Sequence, residues 1–147
     1  MLINKEDLPL VDKQSMNETH FDDIDLINAL NDLIEEFEQN PSDELFEKLD
    51  EQYTKWFDHT IKHFGGEEEM MQEKKFPAYA VHKQEHDNVL NAMKNIHEDL
   101  RKTKSAAGVK NFVQNGLVRW LITHIQTMDT VTARFLEGKI SLNHPIN

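Results

Sequence analysis

The chain has 147 residues, a formal net charge of −11 and no cysteine, a length that fits one domain with a substantial core. The negative charge disfavours nucleic acid and anionic membrane surfaces as partners, and the lack of cysteine excludes disulfides, thiolate-held iron–sulfur clusters and thiol catalysis. No apolar run approaches the length of a membrane span and the N-terminus lacks a targeting pattern, so we expect a cytoplasmic protein without membrane insertion.

The first predicted helix covers residues 16–38. Ser15-x-x-Glu18 is a capping-box pattern, in which each side chain can satisfy a free backbone amide at a helix start. The apolar residues that follow recur at the spacing of one helix face, namely Ile24, Ile27, Leu30, Ile34 and Phe37.

Asn40-Pro41 predicts the N-cap and first turn of a second helix. Its inward stripe comprises Leu45, Leu49, Trp56, His63, Glu67 and Met70. Phe76-Pro77 predicts the end of this helix, because proline lacks an amide hydrogen and disfavours helical backbone in the residue before it.

The third helix has a stripe in strict steps of three and four, made of Tyr79, His82, His86, Val89, Met93, Ile96 and Leu100. A short turn over residues 102–108 precedes the fourth helix. The inward face of that helix contains Phe112, Val113, Leu117, Trp120, Leu121, His124, Ile125 and Met128. Gly138 predicts its end, since glycine readily adopts the left-handed backbone of a helix C-terminus.

Four amphipathic helices joined by short turns predict an all-α fold, an antiparallel up-down-up-down four-helix bundle. We expect the bundle to cover residues 16–138. A short N-terminal arm, residues 1–15, precedes it, and a loose C-terminal tail, residues 139–147, follows.

Metal-ligand side chains lie on or beside the inward stripes in the order His20, His63, Glu67, His82, His86, His124 and Asp129. Residues four apart on a helix share a face, so His63 pairs with Glu67 and His82 with His86. His124 and Asp129 are five apart, about 140° around an ideal helix. They can act together only if an ion lies between helices or a π-type turn widens the fourth helix.

Each ligand alone also fits an ordinary structural role. A single histidine on an apolar stripe can be a hydrogen-bonded core residue. Glu67 belongs to an acidic run, and we expect Glu68 and Glu69 to be exposed or to pair with lysines such as Lys74 and Lys75. The occurrence of all these residues together favours a metal site, because every one of the four predicted helices contributes a ligand. In addition, an unpaired buried imidazole costs about 1–3 kcal/mol. The ligands are enough for two ions, and zinc could use the same donors.

With these ligands the chain resembles the hemerythrin family, especially its single-domain bacterial members. The likeness extends over residues 16–136. It rests on four segments: MNETH at 16–20, HFGGEEEM at 63–70, FPAYAVHKQEH at 76–86 and WLITHIQTMD at 120–129.

The resemblance implies a site for two iron ions, outside haem, with a bridging oxo or hydroxo group. One iron would be held by His82, His86 and His124, and the other by His20 and His63. Glu67 and Asp129 would bridge the two ions. The first iron would then have a full set of ligands, and the second would keep an open position for end-on binding of O2.

The function that the resemblance implies is reversible O2 binding, for carriage, storage, delivery or sensing. A set of five imidazoles and two carboxylates makes the iron pair less electron-rich than the carboxylate-rich sites of ferritin-type proteins, so we expect no enzyme activity. A di-iron enzyme consuming O2, peroxide or nitric oxide is the alternative. Phe64, Trp120 and Leu121 would line the O2 pocket, and core packing alone also explains them.

We expect no output domain beside the bundle, which favours carriage, storage or delivery over signalling. We expect a monomer, with an oxidase or another redox protein as the partner if O2 is delivered.

The chain departs from the family pattern at several positions. The family usually has Asp-x-Gln-His, with its histidine as the first ligand, whereas residues 17–20 read Asn-Glu-Thr-His. The hydrogen bonds that orient His20 are therefore expected to differ. Thr132 replaces a frequent tyrosine and predicts a more polar or more open pocket. Gly65 and Gly66 cost about 1 kcal/mol each relative to alanine inside a helix, and they predict a bend with wider access to the second iron.

Three histidines lie outside the ligand series. His59 is one helical turn before His63, and we interpret it as a residue that shares a buried hydrogen bond or reaches solvent. A proton-donating role near the open iron is the alternative. His97 and His144 have no helical partner among the ligands and are expected at the surface.

Overall fold

The computed structural model describes residues 1–141 and is an all-α four-helix bundle, without a strand in those residues. The long helices are α1 (Gln14–Gln39), α2 (Asp43–Glu73), α3 (Tyr79–Thr103) and α4 (residues 107–136). Each pair of consecutive helices is in contact and joined by a short connection, so the helices alternate in direction as predicted. None of the described helices has the length and apolar character needed to span a membrane.

The predicted start of α1 at residue 16 is wrong, because contacts with the N-terminal arm determine where the helix begins. Asn17 binds both backbone groups of Val11, accepting from its amide at 2.8 Å and donating to its carbonyl at 2.9 Å. The helix already begins at Gln14, and its N-cap Lys13 makes no side-chain hydrogen bond. Ser15 therefore lies inside α1 and does not form a capping box.

The ends of the other helices agree better with the sequence. Ser42 is the N-cap of α2 and accepts a hydrogen bond from the amide of Leu45 at 3.1 Å, so the predicted cap at Asn40 is wrong by two positions. Gly138 follows the end of α4 with a φ of +70°, as predicted. The arm packs on the bundle, and positions 142–147 of the predicted tail, including His144, lie outside the described residues.

The helix α4 alternates between two backbone types. Its segments are Ala107–Asn111, a π-helical Phe112–Leu117, Val118–His124, a π-helical Ile125–Asp129 and Thr130–Leu136. A π turn contains one more residue than an α turn, and it turns Asp129 to the same face as His124. This is one of the two solutions that their five-residue spacing predicted.

The core consists of two apolar clusters separated by polar residues. The larger cluster includes residues of the arm and all four helices, and the smaller one contains Met71, Phe76 and Ala78. Along α2 and α3, the predicted metal ligands lie between the two clusters. The helical pattern of α2 is unbroken at Gly65 and Gly66, so the two glycines do not interrupt the helix.

Candidate metal centre

All seven predicted ligands converge in the bundle interior, and none is more than 8% exposed. Their donor atoms form two groups in which all donors lie within 4.8 Å of one another. The larger group contains Glu67, His82, His86, His124 and Asp129, and the smaller contains His20, His63 and Glu67. The sequence therefore identified every member of both groups.

Glu67 belongs to both groups because its two carboxylate oxygens face different histidines. Its Oε2 lies 2.8 Å from Nε2 of His63 in the smaller group. Its Oε1 lies 3.2 Å from Nε2 of His86 in the larger group. This is the arrangement expected of a carboxylate that bridges two ions.

Asp129 also reaches both groups. Its Oδ1 lies 3.1 Å from Nε2 of His82 and 3.3 Å from Nε2 of His124. Its Oδ2 lies 3.0 Å from Nε2 of His20 in the smaller group. Each of the two carboxylates thus has one oxygen near each donor group. One carboxylate comes from α2 and the other from the π turn of α4.

The distances between donors fit metal coordination. Two nitrogen donors at right angles, each about 2.1 Å from one ion, are about 3.0 Å apart. The Nε2 atoms of His82 and His124 are 3.2 Å apart. Several buried donors also lack a hydrogen bond, namely both ring nitrogens of His20, Nε2 of His86, Oε1 of Glu67 and both oxygens of Asp129. Since unpaired buried polar groups cost about 1–3 kcal/mol each, the residues fit a site stabilised by bound metal.

The site holds two buried negative charges. Burial raises the pKa of Glu67, as does the nearby Asp129, but His63 and His86 outweigh both and lower that pKa to about 2. Burial also raises the pKa of Asp129, but the close rings of His124, His20 and His82 lower it well below 3.8. Both carboxylates are therefore ionised at neutral pH and attract cations.

The carboxylates in turn favour protonated histidines in the metal-free chain. Burial lowers the pKa of His63, but Glu67 and Asp23 raise it well above 6.5. For His124, burial lowers the pKa, but the neighbouring carboxylates of Asp129 and Glu85 raise it overall. A divalent cation can replace these protons as the balancing charge.

In four of the five clustered histidines, another side chain contacts Nδ1, the ring nitrogen that does not face the carboxylates. The contacts to their Nδ1 atoms are His63 with Asp23 at 2.8 Å, His82 with Thr132 at 2.8 Å, His86 with Glu68 at 2.9 Å and His124 with Glu85 at 2.9 Å. Each contact directs Nε2 towards the carboxylates, and such partners commonly fix the orientation and basicity of metal-bound histidine. His20 differs, since within residues 1–141 its Nδ1 has no hydrogen-bond partner and its close carboxylates face Nε2.

Two of these contacts add to what the sequence predicts. Glu68 is 17% exposed, with its Oε2 2.9 Å from Nδ1 of His86 and its Oε1 3.9 Å from Nζ of Lys83, so it pairs with a lysine other than Lys74 or Lys75. Thr132 is fully buried, contacts His82 and lines a depression at the surface of the bundle. Both partners come from another helix, and local spacing could not reveal them.

Asp23 and Glu85 were missed altogether, although the sequence contains a weak signal for each. Asp23 follows His20 by three residues and therefore shares its helix face. Glu85 directly precedes His86, but its partner is His124 on another helix. A carboxylate near a ligand in sequence is a candidate partner, yet only the fold decides which histidine it reaches.

The remaining histidines have defined surroundings. His59 places its Nε2 2.9 Å from Oδ1 of Asp23, with its side chain 27% exposed, which agrees with a residue that reaches solvent. The expectation that His97 lies at the surface is wrong. Its ring packs on Tyr53 at 4.5 Å between centroids, and its Nε2 lies 2.7 Å from Asp50.

Phe64, Trp120 and Leu121 line one small internal cavity beside the donor groups, with a volume of about 20 Å³, enough for roughly one water molecule. Phe64 stacks on the ring of His86 at 3.9 Å, and Trp120 stacks on that of His124 at 4.6 Å. The aromatic wall of the cavity is thus built directly on two candidate ligands.

Comparison with known proteins identifies the family. The family model described as "Hemerythrin HHE cation binding domain" matches residues 16–136. A bacteriohemerythrin of Aquifex aeolicus (strain VF5) is 32% identical over 136 residues, which are 92% of this chain and 98% of the relative. No solved structure matches significantly. The chain therefore belongs to the hemerythrin family.

Two further relatives match over about half of their length. A myohemerythrin of Sipunculus nudus is 35% identical over 70 residues, 48% of this chain and 51% of the relative. A hemerythrin of Phascolopsis gouldii is 33% identical over 70 residues, 48% of this chain and 49% of the relative. Members of this family are oxygen-binding proteins with a di-iron centre, and they are not enzymes.

Proposed function

We propose that this protein binds O2 reversibly at a pair of iron ions held by the two donor groups. The observation that carries the proposal is the position of Glu67 and Asp129, each with one oxygen towards either group. Two carboxylates placed in this way support two adjacent ions better than they support one ion or none.

The donor groups support different roles for the two ions. The larger group offers three histidines and the smaller offers two, and both share the carboxylates. With an oxo or hydroxo bridge, the ion of the larger group would have a full set of ligands. The ion beside His20 and His63 would keep one open position, which we propose as the position that takes O2.

The surroundings of the site favour reversible binding over consumption. Phe64 and Trp120 cover two of the candidate ligands with aromatic rings, and Leu121 completes an apolar wall. A wall of this kind limits the approach of water and protons, which bound O2 needs before it can be reduced further. We propose these three residues as the lining of the O2 pocket.

The physiological setting is a further part of the proposal. We infer carriage, storage or delivery of O2 in the cytoplasm by a monomer, with residues 16–138 as the functional bundle. Sedimentation of the iron-loaded protein would test the monomer, since a stable dimer would sediment with twice the mass.

The function is tested by cycling the iron-loaded protein between argon and O2 without a reductant while its visible spectrum is recorded. Reversible binding predicts a coloured form under O2 that disappears under argon over several cycles. Permanent conversion in the first cycle, or continued O2 uptake when a reductant is added, would contradict the proposal in favour of O2 consumption.

A further inference from the structure

A cleft lies between α1 and α2 at the level of the donor groups. Its lining includes the polar residues Ser15, Thr19, Lys62, His63 and Glu67 beside Gly66 and two methionines. Its volume is about 280 Å³, which corresponds to roughly nine water molecules at about 30 Å³ each. The cleft is therefore large enough for an ion that still carries a shell of water.

The inner end of the cleft consists of candidate ligands. His63 and Glu67 line it, and both belong to the smaller donor group with His20. Glu67 also belongs to the larger group. An ion that enters the cleft therefore reaches the ring of His63 and the carboxylate of Glu67, which belongs to both donor groups.

Gly66 keeps the cleft wide. A Cβ atom built at this position would have no neighbour within 4 Å, so the space in front of it is open. Glycine inside a helix costs about 1 kcal/mol relative to alanine, and α2 is 31 residues long without a break here. The conformation of the helix does not require glycine, and a larger side chain at position 66 would extend into the cleft.

A second depression reaches the site from another side, but its chemistry differs. It is lined largely by apolar residues such as Phe76, Val81, Met128 and Val131, and it ends at His82. Its polar side chains are Thr127, Thr132 and His82, with no carboxylate among them, so a hydrated cation meets no opposite charge there. The cleft between α1 and α2 offers the carboxylate of Glu67 as well as hydroxyl groups.

We propose that the α1–α2 cleft is the route by which a hydrated divalent cation enters and leaves the site, with Gly66 as the residue that keeps the route open. This inference rests on the proposed metal centre but not on O2 binding. A side chain at position 66 should slow uptake and release equally, since it changes the path and not the ligands.

The test uses the full chain with Fe²⁺ under argon. Release is followed as iron passes from the loaded protein to a coloured ferrous chelator, and uptake as Fe²⁺ refills the stripped protein. We expect Gly66→Leu to lower both rates by at least about tenfold, equivalent to about 1.4 kcal/mol in barrier height, with the affinity and final iron content unchanged. Gly65→Leu is the matched control, because Gly65 is exposed on the same helix and does not line the cleft.

A gentler variant tests the same route if Gly66→Leu does not fold. Lys62 lines the cleft and repels cations, so Lys62→Gln should speed Fe²⁺ uptake at low salt, whereas Lys55→Gln, an exposed change further along α2, should not. Equal rates in all variants, or a change in release alone, would overturn the route. Failure of the wild-type chain to bind iron would instead count against the metal centre.

Discussion

Oδ2 of Asp23 lies 2.8 Å from Nδ1 of His63, and this contact connects a candidate ligand to the protein surface. The other oxygen of Asp23 lies 2.9 Å from Nε2 of the partly exposed His59. Burial raises the pKa of Asp23, but His63 and His59 outweigh it and lower that pKa below 3.8. The carboxylate therefore stays charged at neutral pH and can accept a hydrogen bond from the Nδ1–H group of His63, which leaves Nε2 free to bind metal.

Replacing Asp23 with asparagine should weaken metal binding in the smaller donor group. The amide cannot reproduce two charge-assisted contacts, and loss of such a partner commonly costs about 10–100-fold in metal affinity. Titration of the stripped protein with Fe²⁺ under argon would measure the change. Asp22→Asn is the matched control, since Asp22 is exposed. Equal affinities in Asp23→Asn and the control would show that the contact does not orient His63.

Replacing Thr132 with valine should destabilise the larger group while preserving shape. Nδ1 of His82 would lose its 2.8 Å partner, and an unpaired buried polar group costs about 1–3 kcal/mol. Urea unfolding of the stripped protein would report this loss, and Fe²⁺ titration would report weaker binding. Thr127→Val, on the exposed face of α4, should change neither quantity. Thr132 would have no orienting role if the two variants behaved alike.

The four helices and the pairs His63–Glu67 and His82–His86 could be predicted because they depend on spacing within one helix. The π turn at Asp129 was one of two alternatives that its spacing from His124 left open. The start of α1 could not be predicted, because Asn17 binds the backbone of Val11 in the arm. Local sequence contains no information on how the arm folds back.

Contacts between helices limited the prediction of the site in the same way. Glu68 and Glu85 look like solvent-facing acids beside ligands, yet each binds a histidine of another helix. His97 looked like a surface residue because its partners Asp50 and Tyr53 are more than 40 positions away. Periodicity identifies the buried face of a helix, and only the packing of helices identifies the partner.

The two donor groups contain unequal numbers of histidines, so replacing one histidine should remove different amounts of iron from the two groups. His20→Ala removes one of the two histidines in the smaller group, so we expect loss of O2 binding with about one iron retained per chain. His86→Ala removes a fully buried ligand from the larger group and should lose both ions, with a lower melting temperature. Iron analysis after desalting measures both outcomes. The same iron loss in the two variants would contradict the division of roles.

Leu121→Ala should open the apolar wall of the cavity. Leu121 is 6% exposed, and a leucine-to-alanine change in a core costs about 2–5 kcal/mol. Water admitted to the cavity should speed irreversible oxidation of the O2-bound form, measured as the decay of its visible absorption. Ile122→Ala on the partly buried side of the same helix is the control. If both variants decay at the wild-type rate, the pocket lies elsewhere.

The pair Asp50 and His97 should affect stability in a pH-dependent way. Partial burial raises the pKa of Asp50, but hydrogen bonds from Arg101 and His97 outweigh it and hold the pKa below 3.8. A carboxylate whose pKa is lowered in the folded state stabilises that state at pH values above its pKa in the unfolded chain. This contribution is lost as the pH falls through the pKa of the folded state.

Asp50→Asn should therefore reduce the free energy of unfolding by about 1 kcal/mol at neutral pH, and the difference from wild type should shrink below about pH 4. Urea unfolding between neutral and acidic pH measures it. Glu51→Gln, an exposed neighbour, should show no such trend. A difference that stays constant across the pH range would exclude the charge of Asp50 as its cause.

The proposed function requires two metal ions in one site, and native mass spectrometry of the intact iron-loaded chain tests this directly. We expect a dominant species with two irons per chain, and a shift to one iron in His20→Ala. A wild-type chain that carries one iron or none after loading would contradict the proposed function, because the donor groups would then be a hydrogen-bonded polar core or a site for a single ion.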